Sequence, residues 1–147
     1  MTKELMSKEL VMFDVEADSA EDVIRIIADA MEKDGRLLDK EGYIADVMTR
    51  ESHSSTAVGF SLATPHAKST FVKEESLAFI HLKNKIKWDD REEVDIIFEI
   101  GVPSPAQGDR HLEILAALFR KIMNIDFREN LINAKTPEEI IETVGIV

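Results

Sequence analysis

The 147 residues predict a single-domain α/β fold, a layered sandwich in which a mixed β-sheet carries helices on both faces. Three observations lead there. Two short apolar runs rich in β-branched and aromatic residues, "SLAFIHL" at 76–82 and "VDIIFEIGV" at 94–102, have the length and composition of buried strands. Segments with helical apolar spacing lie on either side of them, several opened by a capping residue. No repeat, low-complexity tract or linker divides the chain, and a 44% hydrophobic content suffices for one core, so one domain is expected over residues 1–147.

The elements follow in order. "ELVMFDVEA" at 9–17 reads as a short strand or extended segment. Ser19 then caps a helix in which Val23, Ile26, Ile27, Ala30 and Met31 recur at helical spacing, Asp22 stands in a capping-box position, and Gly35 ends the run. A second helix is expected from about Lys40 to Arg50, with Tyr43, Ile44, Val47 and Met48 buried and Arg50 near the C-terminal end, where a cation suits the dipole. Residues 52–66 are rich in Ser, Thr, Gly and Pro and form the expected site loop, with extended pieces around Val58 to Phe60. The two strands come next, joined by "KNKIKWDDREE" as a polar connection. After "PSPAQGD", Asp109 caps a helix expected to turn Leu112, Leu115, Ala116, Phe119 and Met123 inward. A short helix near 127–134 precedes a last one announced by "TPEE", with Thr136 as cap, Pro137 at the first helical position and Glu139 completing the box.

Composition excludes several classes of function. The formal net charge of -11 opposes nucleic acid and anionic lipid and favours partners with a basic face. No cysteine is present, so there is no disulfide, thiolate nucleophile or thiolate metal ligand. The N-terminus "MTKELMSKEL" lacks the apolar stretch of a signal peptide and no run is long enough to span a membrane, so a soluble cytoplasmic protein without membrane insertion is expected. No P-loop or G-x-G-x-x-G supports a bound nucleotide, no G-x-S-x-G elbow supports a serine hydrolase, and the four histidines show no metal-type spacing. Neither a cofactor nor a metal is expected.

Those histidines differ among themselves. His81 lies inside an apolar strand and His53 on the expected loop, both as ordinary structural residues. His66 follows Pro65, whose fixed φ stiffens the backbone behind the imidazole. His111 falls in the first turn of its helix, where free amides and the dipole favour an anion. Taken alone, the residues leave two readings open. Either His66 accepts a phosphoryl group that His111 helps to hold, or they are a turn residue and a capping or packing residue.

The stretch "RESHSSTAVGFSLATPHA" at 50–67 resembles the phosphorylation-site signature of the fructose- and mannitol-type enzyme IIA domains of the bacterial phosphoenolpyruvate-dependent sugar phosphotransferase system. It supplies Arg50, Glu51, Thr56, Gly59, Ala63, Pro65, His66 and Ala67 of that signature. Trp88, "VDIIFEIGVP", "HLEIL" and "DFRENLINAKTPEEI" extend the resemblance over nearly the whole chain. Two positions depart from the common form, Ala57 where glycine is frequent and Thr64 where an aliphatic residue is frequent.

The resemblance implies a phosphotransferase component that works through a phosphohistidine. His66 would take the phosphoryl group from the histidine-containing phosphocarrier protein HPr and pass it to a cysteine of an enzyme IIB domain. With no cysteine and no membrane span in this chain, the IIB and the sugar-translocating parts would be separate molecules. His111 would steady the transferring group as a hydrogen-bond donor, and Arg50 would either add charge or serve structurally at Glu51 or a helix end. A shallow apolar surface with an acidic surround is expected about His66, since both partners are proteins. The alternative within the same resemblance is a nitrogen-related regulatory enzyme IIA, whose phosphorylation state controls its binding to other proteins.

Overall fold

The computed structural model describes residues 3–105 and 109–146. Among these residues six strands form one mixed sheet, and five α-helices and a short 3-10 helix at Lys8–Leu10 accompany it. The helices are α1 (Ala20–Lys33), α2 (Lys40–His53), α3 (Arg110–Ile122), α4 (Ile125–Asn133) and α5 (Pro137–Val144). The strands are β1 (Val11–Val15), β2 (Ala57–Gly59), β3 (Leu62–Ala63), β4 (His66–Ser69), β5 (Ser76–Lys87) and β6 (Glu93–Pro103).

Caps explain where the helices begin. The Ser19 hydroxyl accepts from the Asp22 amide, and the Asp22 carboxylate turns back to the Asp18 amide, so the box closes one residue earlier than the simplest pattern. Thr136 accepts from the Glu139 amide, with Pro137 in the first turn. Asp109 stands at the N-cap of α3, but its side chain makes no capping bond. Residues 106–108 of the expected connection lie outside the described residues.

The strand order is β1-β5-β6-β3-β2, with β4 also on β6. β1 runs parallel to β5, and β5 runs antiparallel to β6. β3 and β4 are both parallel to β6 and keep one register on it, Leu62 opposite Ile96 and His66 opposite Ile100. They are one strand interrupted at Thr64–Pro65, its first part covered by β2 and its second, β4, at the edge. Proline has no amide to give a ladder, and a break of this kind tolerates it. The Pro65 carbonyl still accepts from the Ile100 amide at 3.1 Å, which holds the chain on β6 across the break.

Alternation along β5 and β6 divides the core between the two faces. Leu77, Phe79, Phe98 and Ile100 pack with α3, α4 and α5, the rings of Phe79 and Phe98 meeting edge to face at 5.2 Å. Ala78, Ile80 and Ile97 pack with α1 and α2.

Two expectations need correction. The "KNKIKWDDREE" segment is not a loop throughout, because β5 runs on to Lys87 and its ladder to β6 includes Ile86 opposite Val94 and Lys87 opposite Glu93. Alternating lysines mark a strand that is exposed on one side, and that polarity disguises it. In α3 the buried residues are Ile114, Leu115, Leu118 and Ile122, while Leu112, Ala116, Phe119 and Met123 are exposed. Both stripes have helical spacing, so only packing against β6 chooses between them.

Candidate functional site: the cavity at His66

The break at Thr64–Pro65 delivers His66 as the first residue of β4. Side chains alternate from there. Ala67 is in the core on the α1 and α2 face, and the Ser69 hydroxyl donates to the Asp46 carboxylate of α2 at 2.6 Å. His66 and Lys68 therefore point to the opposite face, which α3 covers. On α3, His111 lies at helical spacing from Ile114, Leu115, Leu118 and Ile122, so it shares the sheet-facing side of the first turn. The last turn of α2 contributes Arg50 and His53 from the side. These groups meet around a cavity of about 520 Å³, whose lining includes His66, His111, Arg50, His53, Lys68 and Asp46.

The His66 Nδ1 is 2.9 Å from the Thr64 carbonyl oxygen. A neutral imidazole in this position donates its Nδ1 proton to the carbonyl and leaves the Nε2 lone pair free. Burial lowers the His66 pKa below its ordinary value. The bond to the Thr64 carbonyl opposes that shift, and the nearby Arg50 and His111 reinforce it. At neutral pH the ring is therefore uncharged, with its Nε2 lone pair available. Thr64 itself is buried, its amide 3.0 Å and its hydroxyl 3.4 Å from the Thr56 carbonyl, which gives this unusual threonine a structural place.

Around the imidazole the polar groups divide their work. Arg50 donates to the Ser54 carbonyl at 3.0 Å and reaches the Ser54 hydroxyl at 3.4 Å, so it closes the end of α2 while lining the cavity. Glu51 does not pair with it. Its carboxylate accepts from the Thr56 amide, the Thr56 hydroxyl and the Trp88 indole, at 2.8, 2.7 and 3.0 Å, and so ties the loop before β2 to the end of the β5 strand. The His111 Nδ1 is buried without a protein partner among the described residues. A buried polar atom left open in the same cavity as the His66 imidazole is suited to a polar group that binds there.

The sequence-predicted residues fall in two places. His66, His111 and Arg50 line one cavity, and His53 joins them from the last turn of α2 instead of standing on a loop. His81 is elsewhere, in the middle of β5 with its Nε2 3.8 Å from the Asp95 carboxylate. The expected apolar surface with an acidic surround is not what lines the site. Arg50, Lys68 and the histidines share the walls with Ala67, Thr70 and Phe71, and the acidic lining residue, Asp46, is already held by Ser69. Lys68 was missed, although its signal was available: a residue two along a strand from His66 shares its face. Among the described residues no group of three or more His, Cys, Asp or Glu side chains is placed to hold a metal ion. None of their helices is long and apolar enough to cross a membrane.

A family model described as "Phosphoenolpyruvate-dependent sugar phosphotransferase system, EIIA 2" matches residues 4–145. The chain belongs to that family. EIIA components are phosphotransferase proteins that carry a phosphohistidine intermediate. This EIIA-family chain is 31% identical over 141 residues to the fructose-specific EIIA component of Haloferax volcanii, covering 95% of itself and 91% of that protein. It is 30% identical over 144 residues to the fructose-specific EIIABC component of Bacillus subtilis, covering 97% of itself but only 22% of that longer protein. Among solved structures, the nitrogen regulatory protein IIA-Ntr of Neisseria meningitidis matches with a TM-score of 0.85 and 26% identity, over 95% of this chain and 96% of that one. The IIA mannitol protein of Escherichia coli shares the fold, with a TM-score of 0.78 and 18% identity over 94% of this chain and 97% of that one.

Proposed function

We propose that this protein is a cytoplasmic phosphoryl relay for sugar uptake, with His66 as the residue that carries the phosphoryl group. The donor is the histidine phosphocarrier protein HPr and the acceptor is an enzyme IIB component on a separate chain. The observation that carries this reading is the 2.9 Å contact between His66 Nδ1 and the Thr64 carbonyl, which leaves Nε2 as the attacking atom. In the step itself, the Nε2 lone pair forms the new bond to phosphorus. The donor's bond to phosphorus breaks, and its electron pair leaves with the donor atom. The proton stays on Nδ1, hydrogen-bonded to the Thr64 carbonyl, throughout, so no acid or base is needed. What the transfer requires is alignment and stabilisation of the charged phosphoryl oxygens. His111 donates to one of those oxygens, and Arg50 adds positive charge from the end of α2. For the onward step, a solved structure of the same fold shows enzyme IIA mannitol in complex with phosphorylated enzyme IIB mannitol of Escherichia coli.

Incubation with phosphoenolpyruvate, enzyme I and the phosphocarrier is expected to label the protein once, with acid-labile, base-stable phosphate. His66→Ala and His66→Gln should abolish the label. Label that persists and maps to His53 or His81 refutes the assignment. A regulatory role is the second reading, favoured by the likeness to the IIA-Ntr protein. The two part at the acceptor, because a relay passes its phosphate to an enzyme IIB component and a regulator does not.

A further inference from the structure

We infer that Lys68 is a phosphoryl-binding residue of this site, folding over the group carried by His66 and supplying the cavity's second fixed cation. The inference rests on the reading of His66 as the phosphoryl carrier and adds a residue to it.

Four observations lead to Lys68. It lines the same cavity as His66. It stands two residues along β4, so both side chains leave the strand on one face about 6.6 Å apart, within reach of a four-carbon ammonium stem. Its side chain is exposed, and among the described residues no hydrogen bond or ion pair engages it. The other cation of the cavity, Arg50, already spends one nitrogen on Ser54.

Charge gives the physical reason. A phosphoryl group on an imidazole brings close to two negative charges into a protein whose net charge is already -11. His111 contributes a hydrogen bond. One partly committed guanidinium then faces a near-dianion, and a flexible ammonium on the same face of β4 balances it. Phosphate binding by lysine as a compact, mobile point charge is suited to a group that must arrive and leave. The acidic side chain of the cavity, Asp46, is held by Ser69 and does not compete for the ammonium.

The test separates binding of the phosphoryl group from docking of a partner protein. Lys68→Gln, Lys68→Arg and, as a remote control, Lys83→Gln are compared with the parent chain using two donors. One is the phosphorylated carrier, with transfer measured against carrier concentration to separate kcat from KM. The other is phosphoramidate, a small donor without a protein surface. The expected result is that Lys68→Gln slows labelling by both donors about tenfold. With the carrier the loss should fall on kcat, Lys68→Arg should restore most of the rate, and Lys83→Gln should change nothing. A normal rate with phosphoramidate and a raised KM for the carrier would make Lys68 a docking residue and overturn the inference. Unchanged kinetics with both donors would overturn it as well. If the parent chain is labelled at His66 by phosphoramidate but not by the carrier, it is the proposed relay that fails, and the phosphoramidate comparison still judges Lys68.

Discussion

Replacing Glu99 with Gln should make the stability of this protein less dependent on pH. Glu99 lies in β6 with its side chain fully buried against α2, where the Tyr43 hydroxyl donates to Oε2 at 2.7 Å and Oε1 has no partner among the described residues. Burial pushes its pKa up to about 8, the Tyr43 bond opposes that, and the negative Glu51 adds to it. In the unfolded chain the carboxyl returns to 4.5. Between those values the folded state holds a proton that the unfolded state has released. Stability from this group is therefore complete below about pH 4.5, and it falls as pH rises until the folded group has titrated near 8. At about 1.4 kcal/mol per pH unit in the interval, the loss between pH 5 and pH 7 is roughly 2 to 3 kcal/mol. Glutamine has nearly the same shape, still accepts from Tyr43 and does not titrate. The assay is urea unfolding of both proteins at pH 5, 6, 7 and 8, read as the difference between them, which cancels the other carboxylates. The difference should move in the variant's favour by that amount from pH 5 to pH 7. A difference that stays constant over this range would show that Glu99 is ionised in the folded protein, and the argument from its burial would be wrong.

Two further outcomes follow from the cavity. In His111→Ala, His66 should still be labelled, but transfer should slow about a hundredfold, the usual cost of removing one donor to a transferring group. Quenched-flow transfer from the phosphocarrier measures it, and a folded variant with unchanged kinetics would return His111 to a packing role. Because burial, Arg50 and His111 all lower the pKa of His66, its labelling rate by a small donor should be flat at neutral pH and fall only below the ordinary value of 6.5. Arg50→Gln should raise that midpoint, and a midpoint that does not move would show that Arg50 lies too far from the imidazole to act on it.

The parts of the fold most legible in the sequence were those governed by local chemistry. Ser19, Asp22, Thr136 and Glu139 announce helix starts because capping bonds join residues within one turn. The face of α3 was not legible, since Leu112, Phe119 and Met123 are as apolar and as periodic as Ile114, Leu118 and Ile122. The far end of the β5–β6 hairpin read as a loop because its lysines face water on the exposed side of a strand. At the candidate site, the stiff backbone at Pro65 pointed to His66, and the first turn of α3 pointed to His111. That Arg50 and His53 converge on them could not be read from spacing, because they come from α2 while His66 and His111 come from β4 and α3; Lys68 could have been read, since it stands two residues along β4 from His66. Glu51 was grouped with Arg50 by adjacency, yet consecutive helical residues point about 100° apart, and its partners are Thr56 and Trp88.

The long β5–β6 hairpin has a consequence for how the molecule survives in a crowded solution. Its two strands extend past their neighbours: β1 stops opposite Leu82, and β3 begins opposite Ile96. Beyond those points no further strand pairs with the outer margin of the hairpin among the described residues, and an unpaired strand edge is a template for addition of a strand from another molecule. Lys83, Lys85 and Lys87 are all exposed on that stretch. Addition of a second copy in the same orientation would stack these ammonium groups against their own kind, stripped of water. The polarity that hid this segment from the sequence is thus a guard against fibres, and the remaining margins, β1, β2 and β4, are only five, three and four residues long, too short to template much.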